Sequence, residues 1–194
     1  MEKKSITDRK FFEREPHIVA RELLGKIIVR KIGEKELKGI IVETESYFGE
    51  DDPASRAYKK KNMNFYRRMA SIPGTLLVYM VHNNWLLNIV SHRKGEVGAV
   101  LIRAVELVEG IELMKKARKK EKLEELTNGP GKFTQSFFID DKLEGVDILN
   151  SEEIYLVDTD LKFEIGTSKR IGVRYDLPQN YRFFIRNNKF VSKL

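Results

Sequence analysis

The alternation of apolar and polar residues divides the chain into an opening helix, a series of strands and one further helix. Residues 16–24 carry Ile18, Val19, Leu23 and Leu24 at helical spacing, with a proline at an allowed helix start and Gly25 where a C-terminal cap belongs. Runs rich in strand formers at 26–32 and 36–47 predict two strands, and Gly33-Glu34-Lys35 between them has the length and the glycine of a hairpin loop. A second hairpin is predicted from 75–81 and 85–91, divided by His82-Asn83-Asn84, because asparagine tolerates the positive φ of tight turns. Residues 98–105 read as a buried strand. Residues 109–120 read as a helix with an acid at its start and bases towards its end, which suits the macrodipole. Asn128-Gly129-Pro130-Gly131 breaks the chain before 132–138, and short strands follow near 154–157, 169–173 and 181–186, with a turn at Leu177-Pro178-Gln179-Asn180. Residues 49–55 are acidic and turn-prone and 56–68 strongly basic, so together they are expected as a long exposed connection. With no repeat, linker or low-complexity tract, the pattern predicts one α+β domain over residues 1–194, dominated by antiparallel strands.

Composition narrows the classes. Hydrophobic residues make up 41% and charged residues 34%, too much of both for a disordered or membrane-spanning chain, so a soluble protein is expected. Lys and Arg number 36 against 29 acids, a formal net charge of +7 that attracts polyanions, nucleic acid foremost. A Lys- and Glu-rich surface of the kind common in thermophile proteins would give the same sum. There is no cysteine, which excludes disulfides, iron–sulfur clusters and thiolate zinc sites. His17, His82 and His92 are scattered, so no histidine metal site is expected. Met1-Glu2-Lys3-Lys4 leads into no apolar segment, and a cytoplasmic, nucleoid-associated location is expected.

The candidate chemistry lies in Ile41-Val42-Glu43-Thr44-Glu45-Ser46-Tyr47. In a strand, Glu43, Glu45 and Tyr47 project from one face. A half-buried carboxylate there can act as a general base, two can share a proton or a metal ion, or both can simply pair with surface cations. Spacing alone leaves these readings open.

Val42-Glu43-Thr44-Glu45-Ser46-Tyr47 does not stand alone. Together with Asp52-Pro53-Ala54-Ser55, Pro73-Gly74-Thr75-Leu76, Val78-Tyr79, Asn88-Ile89 and Leu101-Ile102-Arg103-Ala104, it resembles the signature of the alkyladenine (methylpurine) DNA glycosylase family. Asn128-Gly129-Pro130-Gly131-Lys132 with Gln135, then Arg170-Ile171-Gly172-Val173 and Arg182-Phe183-Phe184-Ile185, continue the pattern in order, from about Ile18 to the C-terminus.

The resemblance implies a curved, mainly antiparallel sheet with peripheral helices and a protruding β-hairpin, residues 75–91, that enters the DNA minor groove. It implies a monomer acting on double-stranded DNA that contains damaged purines, without cofactor or metal. Glu45 matches the general base, and Arg103 and the Ile171 carbonyl match groups that hold the attacking water. Tyr47 and Tyr79 match the rings that sandwich a flipped base, and Asn88 a residue that limits what enters. His82, Asn83 and Asn84 form the inserting tip, and Lys132 is a candidate phosphate contact. The basic stretch with Arg56, Lys59, Lys60, Lys61, Arg67 and Arg68 suits backbone contacts or solvent equally.

Two positions depart from the pattern. Arg56 follows Asp-Pro-Ala-Ser where the family usually has a base-contacting histidine, and His82 stands where an aromatic wedge, commonly tyrosine, fills the gap left by the base. Two extra residues near 92–96 lengthen a turn. No lysine matches the position of the acid, which implies a water nucleophile and a monofunctional enzyme. A lesion-binding protein with weak catalysis, and a metal-dependent nuclease using Glu43 and Glu45, are the alternatives.

Overall fold

The structure is a computed structural model and describes residues 6–192; the Met1-Glu2-Lys3-Lys4 segment lies outside them. Helix α1, Pro16–Leu23, starts on its proline and turns Val19, Ala20 and Leu23 into the core. Gly25 follows with φ +81, and any side chain there would strike the Phe163 ring. Strand β1, Ile27–Ile32, then pairs antiparallel with β2, Lys35–Phe48, from Ile27 against Ile40 to Ile32 against Lys35. The loop is thus two residues, with Gly33 at φ +59 supplying the left-handed position.

β3, Leu76–Val81, and β4, Asn84–Val90, form the second hairpin, Val81 pairing with Asn84. Its loop is His82-Asn83, both at positive φ as a tight primed turn requires, while Asn84 opens β4. β5, Gly98–Glu109, runs four residues beyond the expected strand. β6, Ile154–Val157, β7, Ile165–Ser168, and β8, Arg182–Ile185, complete one sheet of order β3-β4-β5-β2-β1-β6. β8 pairs with both β7 and the end of β2, which curls the sheet. The architecture is α+β with a curled antiparallel sheet, as the pattern predicts.

Two expectations are corrected. Residues 169–173 form no strand; the strand is β7 just before them, and the chain then leaves the sheet through loop 169–180. Residues 56–68 are not merely a connection. Tyr58–Lys60 forms a 3-10 turn and Met63–Met69 forms helix α2, whose Asn62 cap accepts from the Phe65 N–H at 2.9 Å. Phe65 and Met69 are apolar positions four apart, and with Ala57 they pack against Leu77, Val90 and Ala99 on one sheet face. The larger core lies on the other face, where α1 and α5, Pro130–Ser136, are packed. Helices α3, Ile111–Arg118, and α4, Glu124–Thr127, close that side. No helix among the described residues is long and apolar enough to cross a membrane.

Candidate active site

A β-bulge sets the geometry of the acids. Ile41 pairs with Val105 and Glu43 with Ala104, whereas Thr44 pairs with Ile102, so Val42 and then Arg103 fall outside the register. Such a bulge bends the strands and re-aims the extra side chain. Here it brings the buried Arg103 against both carboxylates, with Nε donating to Glu43 Oε1 at 2.7 Å and Nη1 lying 3.3 Å from Glu45 Oε1.

The two acids are engaged differently. Glu43 accepts four hydrogen bonds: from Arg103 Nε, Arg182 Nε and Ser192 Oγ to Oε1, and from the Ser192 N–H to Oε2, all at 2.7 Å. Burial alone would push its pKa up, but the Arg103 and Arg182 guanidiniums outweigh burial and hold it below the ordinary carboxylate range. Glu45 accepts from the Ile171 N–H at 2.8 Å and the Tyr47 hydroxyl at 2.7 Å, besides its contact with Arg103. Burial dominates there, and although Arg103 and these bonds oppose it, the carboxyl is raised. A carboxylate offers about four acceptor positions. Glu43 accepts four hydrogen bonds, three of them on Oε1, whereas Glu45 accepts two, one on each oxygen.

Arg103, Tyr47, Tyr79 and Ile171 line a cavity of 590 Å³, and Glu45, fully buried, lies behind that wall in contact with Tyr47, Arg103 and Ile171. Tyr47 and Tyr79 stand against the small core beneath α2, and the Phe65 edge meets the Tyr79 ring at 5.0 Å. Burial, with Glu45 beside it, keeps the Tyr47 hydroxyl protonated and donating. Asn88, in the cavity wall, is buried and its orientation is fixed by Nδ2 donating to the Leu77 carbonyl at 3.2 Å. Arg56 also lines the cavity, its guanidinium 4.8 Å from the Tyr79 ring centre.

At the cavity mouth the exposed hairpin tip meets the start of α5. Asn84 Nδ2 donates to the His82 carbonyl at 2.8 Å. Gly131 packs so closely on Asn84 that a Cβ there would fall 2.6 Å from Asn84 Cβ. Lys132 is exposed and bonded to Asn128 Oδ1 at 2.8 Å. His82, Asn84 and Lys132 line this mouth, while Asn83 is exposed at the loop. The resemblance implies a role for the Ile171 carbonyl; the bond made to Glu45 comes from its N–H.

Residues not singled out in the sequence complete the support. Arg170 is fully buried, donating to both Asp52 oxygens at 2.6 and 2.7 Å, to Asp176 and to the Ser46 carbonyl. Its guanidinium lies 4.6 Å from the Tyr47 ring centre. This one side chain ties loop 49–55, loop 169–180 and an aromatic wall together. Arg182 and Ser192 fix Glu43. Arg170 and Arg182 belong to motifs quoted above, yet only the fold shows their partners; Ser192 carried no signal.

The sequence model of the family described as Methylpurine-DNA glycosylase (MPG) matches residues 10–189. A protein of Clostridium perfringens (strain 13 / Type A) is 43% identical over 200 residues, which covers 95% of this chain and 98% of its own. Proteins of Borrelia garinii subsp. bavariensis and Aeropyrum pernix are 41% and 36% identical over 192 residues, covering 96% and 97% of this chain and 99% and 93% of their own. All three are provisionally named 3-methyladenine DNA glycosylase. The curled α+β fold, with its cavity and the buried acids behind it, is therefore that of an enzyme that hydrolyses N-glycosyl bonds in DNA. The chain belongs to the methylpurine-DNA glycosylase family.

Proposed function

We propose that the protein turns a damaged purine out of duplex DNA into the cavity between Tyr47 and Tyr79 and hydrolyses its N-glycosidic bond with a water activated by Glu45. Extrusion is physically required, because the sugar C1′ is inaccessible in a stacked duplex, and weakly paired damaged bases leave the stack most easily. The supporting observation is the difference between the two acids: Glu43 is held by four hydrogen bonds and two guanidiniums, whereas buried Glu45 accepts two hydrogen bonds, both from residues that line the cavity.

Glu45 takes a proton from water, the water oxygen bonds to C1′, and the glycosidic electron pair leaves with the purine. The products are the free base and an abasic sugar. The raised basicity of Glu45 suits proton abstraction near neutral pH, and its charge stabilises the cation that grows on the sugar. Arg103 opposes the effect of burial and favours the ionised form of Glu45, and the Ile171 N–H fixes its orientation. Tyr47 and Tyr79 stack the base, and Asn88 restricts what enters. His82, with Asn83 and Asn84, inserts where the base was, and Lys132 contacts the backbone. Engagement of Glu43 by two guanidiniums disfavours a paired-acid cation site.

The test is incubation with duplexes carrying hypoxanthine, 1,N6-ethenoadenine or an alkylated purine, scoring free base, with Glu45→Gln as control. Release by the wild type and none by the variant is expected. Binding without release from any substrate sinks the reading in favour of a lesion-binding protein. Borohydride trapping of a protein–DNA adduct would contradict the water nucleophile.

A further inference from the structure

We infer that Arg56 makes this cavity select uncharged purines with hydrogen-bond acceptors at both N7 and the 6-position, hypoxanthine above all, over purines alkylated at a ring nitrogen. The inference rests on the glycosylase reading and concerns the choice of base.

The backbone around Arg56 is held firmly. Asp52 is bound bidentately by Arg170, and its carboxylate accepts from the Phe48 and Ala54 N–H groups at 3.0 Å. Ser55 Oγ accepts from the Ala57 N–H at 3.1 Å, and the Ala57 side chain is buried under α2. From this anchored turn the Arg56 side chain lies over Tyr79, 4.8 Å from its ring centre, and along the cavity. No carboxylate pairs with it among the described residues. A permanent, unpaired cation therefore borders the space proposed for the base.

Two consequences follow from chemistry. A purine methylated at N3 or N7 while joined to the sugar is cationic, and a second cation bordering the same cavity opposes it. N7 alkylation also removes an acceptor. Guanidinium, conversely, offers two parallel N–H donors and no acceptor, the complement of a purine N7/O6 edge. Hypoxanthine presents that edge and is neutral. Adenine derivatives with an intact 6-amino group set a donor against a donor. Guanine has the same edge as hypoxanthine, but its full pairing with cytosine holds it in the stack, whereas a mispaired hypoxanthine leaves at lower cost.

Single-turnover release of hypoxanthine and of 7-methylguanine from matched duplexes tests this, comparing wild type with Arg56→Ala and Arg56→Gln. Arg56 is exposed at the surface of the loop, so the variants are expected to fold, which thermal melting checks. The wild type should favour hypoxanthine. Each variant should lose roughly 5- to 150-fold in hypoxanthine release, the range for one bidentate base contact, while 7-methylguanine release holds or rises. Equal slowing of both substrates overturns the inference and assigns Arg56 to phosphate. Wild-type release of 7-methylguanine alone overturns it while leaving the glycosylase reading intact. Release of no base by the wild type overturns both.

Discussion

The Tyr47 hydroxyl donates to Glu45 Oε2 at 2.7 Å, so one wall of the cavity is hydrogen-bonded to the buried acid behind it. In the proposed function the same residue stacks the base and, through this bond, favours the ionised form of the water-activating carboxylate. Tyr47→Phe separates these effects, since it keeps the ring and deletes one bond that lowers the Glu45 pKa. Glu45 must be ionised to act, so base release falls as pH drops through its raised value. In the Phe variant that acidic limb should move to higher pH, with little change on the alkaline plateau. A pH profile of kcat/KM checks this; an unmoved limb would mean that the hydroxyl does not tune the acid.

Glu45→Gln should abolish base release and yet raise thermal stability. Burial raises the carboxyl in the folded state, so folding is favoured by its protonated form. That contribution is fully present below the ordinary value of 4.5 and is lost as pH rises through the folded value. Above the folded value an ionised Glu45 therefore opposes folding, and glutamine removes the cost. Each kcal/mol of relief raises Tm by about 2–4 °C in a domain of this size. The gain should vanish well below pH 4.5, where the wild-type acid is also neutral. Calorimetry across pH reads both.

How far these residues were legible from sequence follows from what a linear pattern can carry. Alternation places Glu43, Glu45 and Tyr47 on one face, and the motif context points to Glu45, but only the bulge explains why one Arg103 serves both acids. The partner of Asp52 lies 118 residues away in Arg170, and no local rule joins them. Residues 169–173 have the β-branched and cationic look of a strand, yet Arg170 and Ile171 turn inward to Asp52 and Glu45 and so leave the sheet. α2 was obscured because its seven residues are basic on one side and its burial depends on a core formed by distant strands.

The Asp52–Arg170–Asp176 cluster should prove the main tether of the site. Asp52→Ala leaves a buried guanidinium with Asp176 as its one carboxylate among the described residues and frees the Phe48 and Ala54 N–H groups. Removing one partner of a buried pair typically costs about 3–5 kcal/mol. A drop of that size in unfolding free energy, read from urea titration, is expected, together with slower base release. A change under about 0.5 kcal/mol, the range of ordinary surface substitutions, would show the tether to be dispensable.

His82 at the hairpin tip is expected to act in DNA binding without touching the chemistry. It sits at φ 46, a conformation that histidine tolerates better than most side chains, and is exposed where it lines the cavity mouth. His82→Ala should weaken binding to a lesion duplex and leave the acidic limb of the pH profile where it was. Unchanged affinity in a fluorescence titration would remove the wedge role.

The basic segment divides into charges already paired and charges available, and salt titration should tell them apart. Lys60 lies 3.1 Å from Glu50 and Arg68 2.6 Å from Glu144, whereas Lys61 and Arg67 have no carboxylate partner among the described residues. A cation that meets a DNA phosphate releases a counterion, so each such contact adds about 0.9 to the slope of log K against log salt. Lys61→Ala and Arg67→Ala should each reduce that slope by about 1, with little effect on stability. Arg68 is different. Its guanidinium also donates to the Val78 carbonyl at 2.8 Å, and Glu144 in turn accepts from the Val78 N–H, so Arg68 braces strand β3. Arg68→Ala should therefore lower the melting temperature and leave the slope nearly unchanged. The opposite assignment, with Arg68 carrying the salt dependence and Lys61 and Arg67 none, would mean that DNA binding breaks the Arg68–Glu144 pair and that Lys61 and Arg67 face solvent.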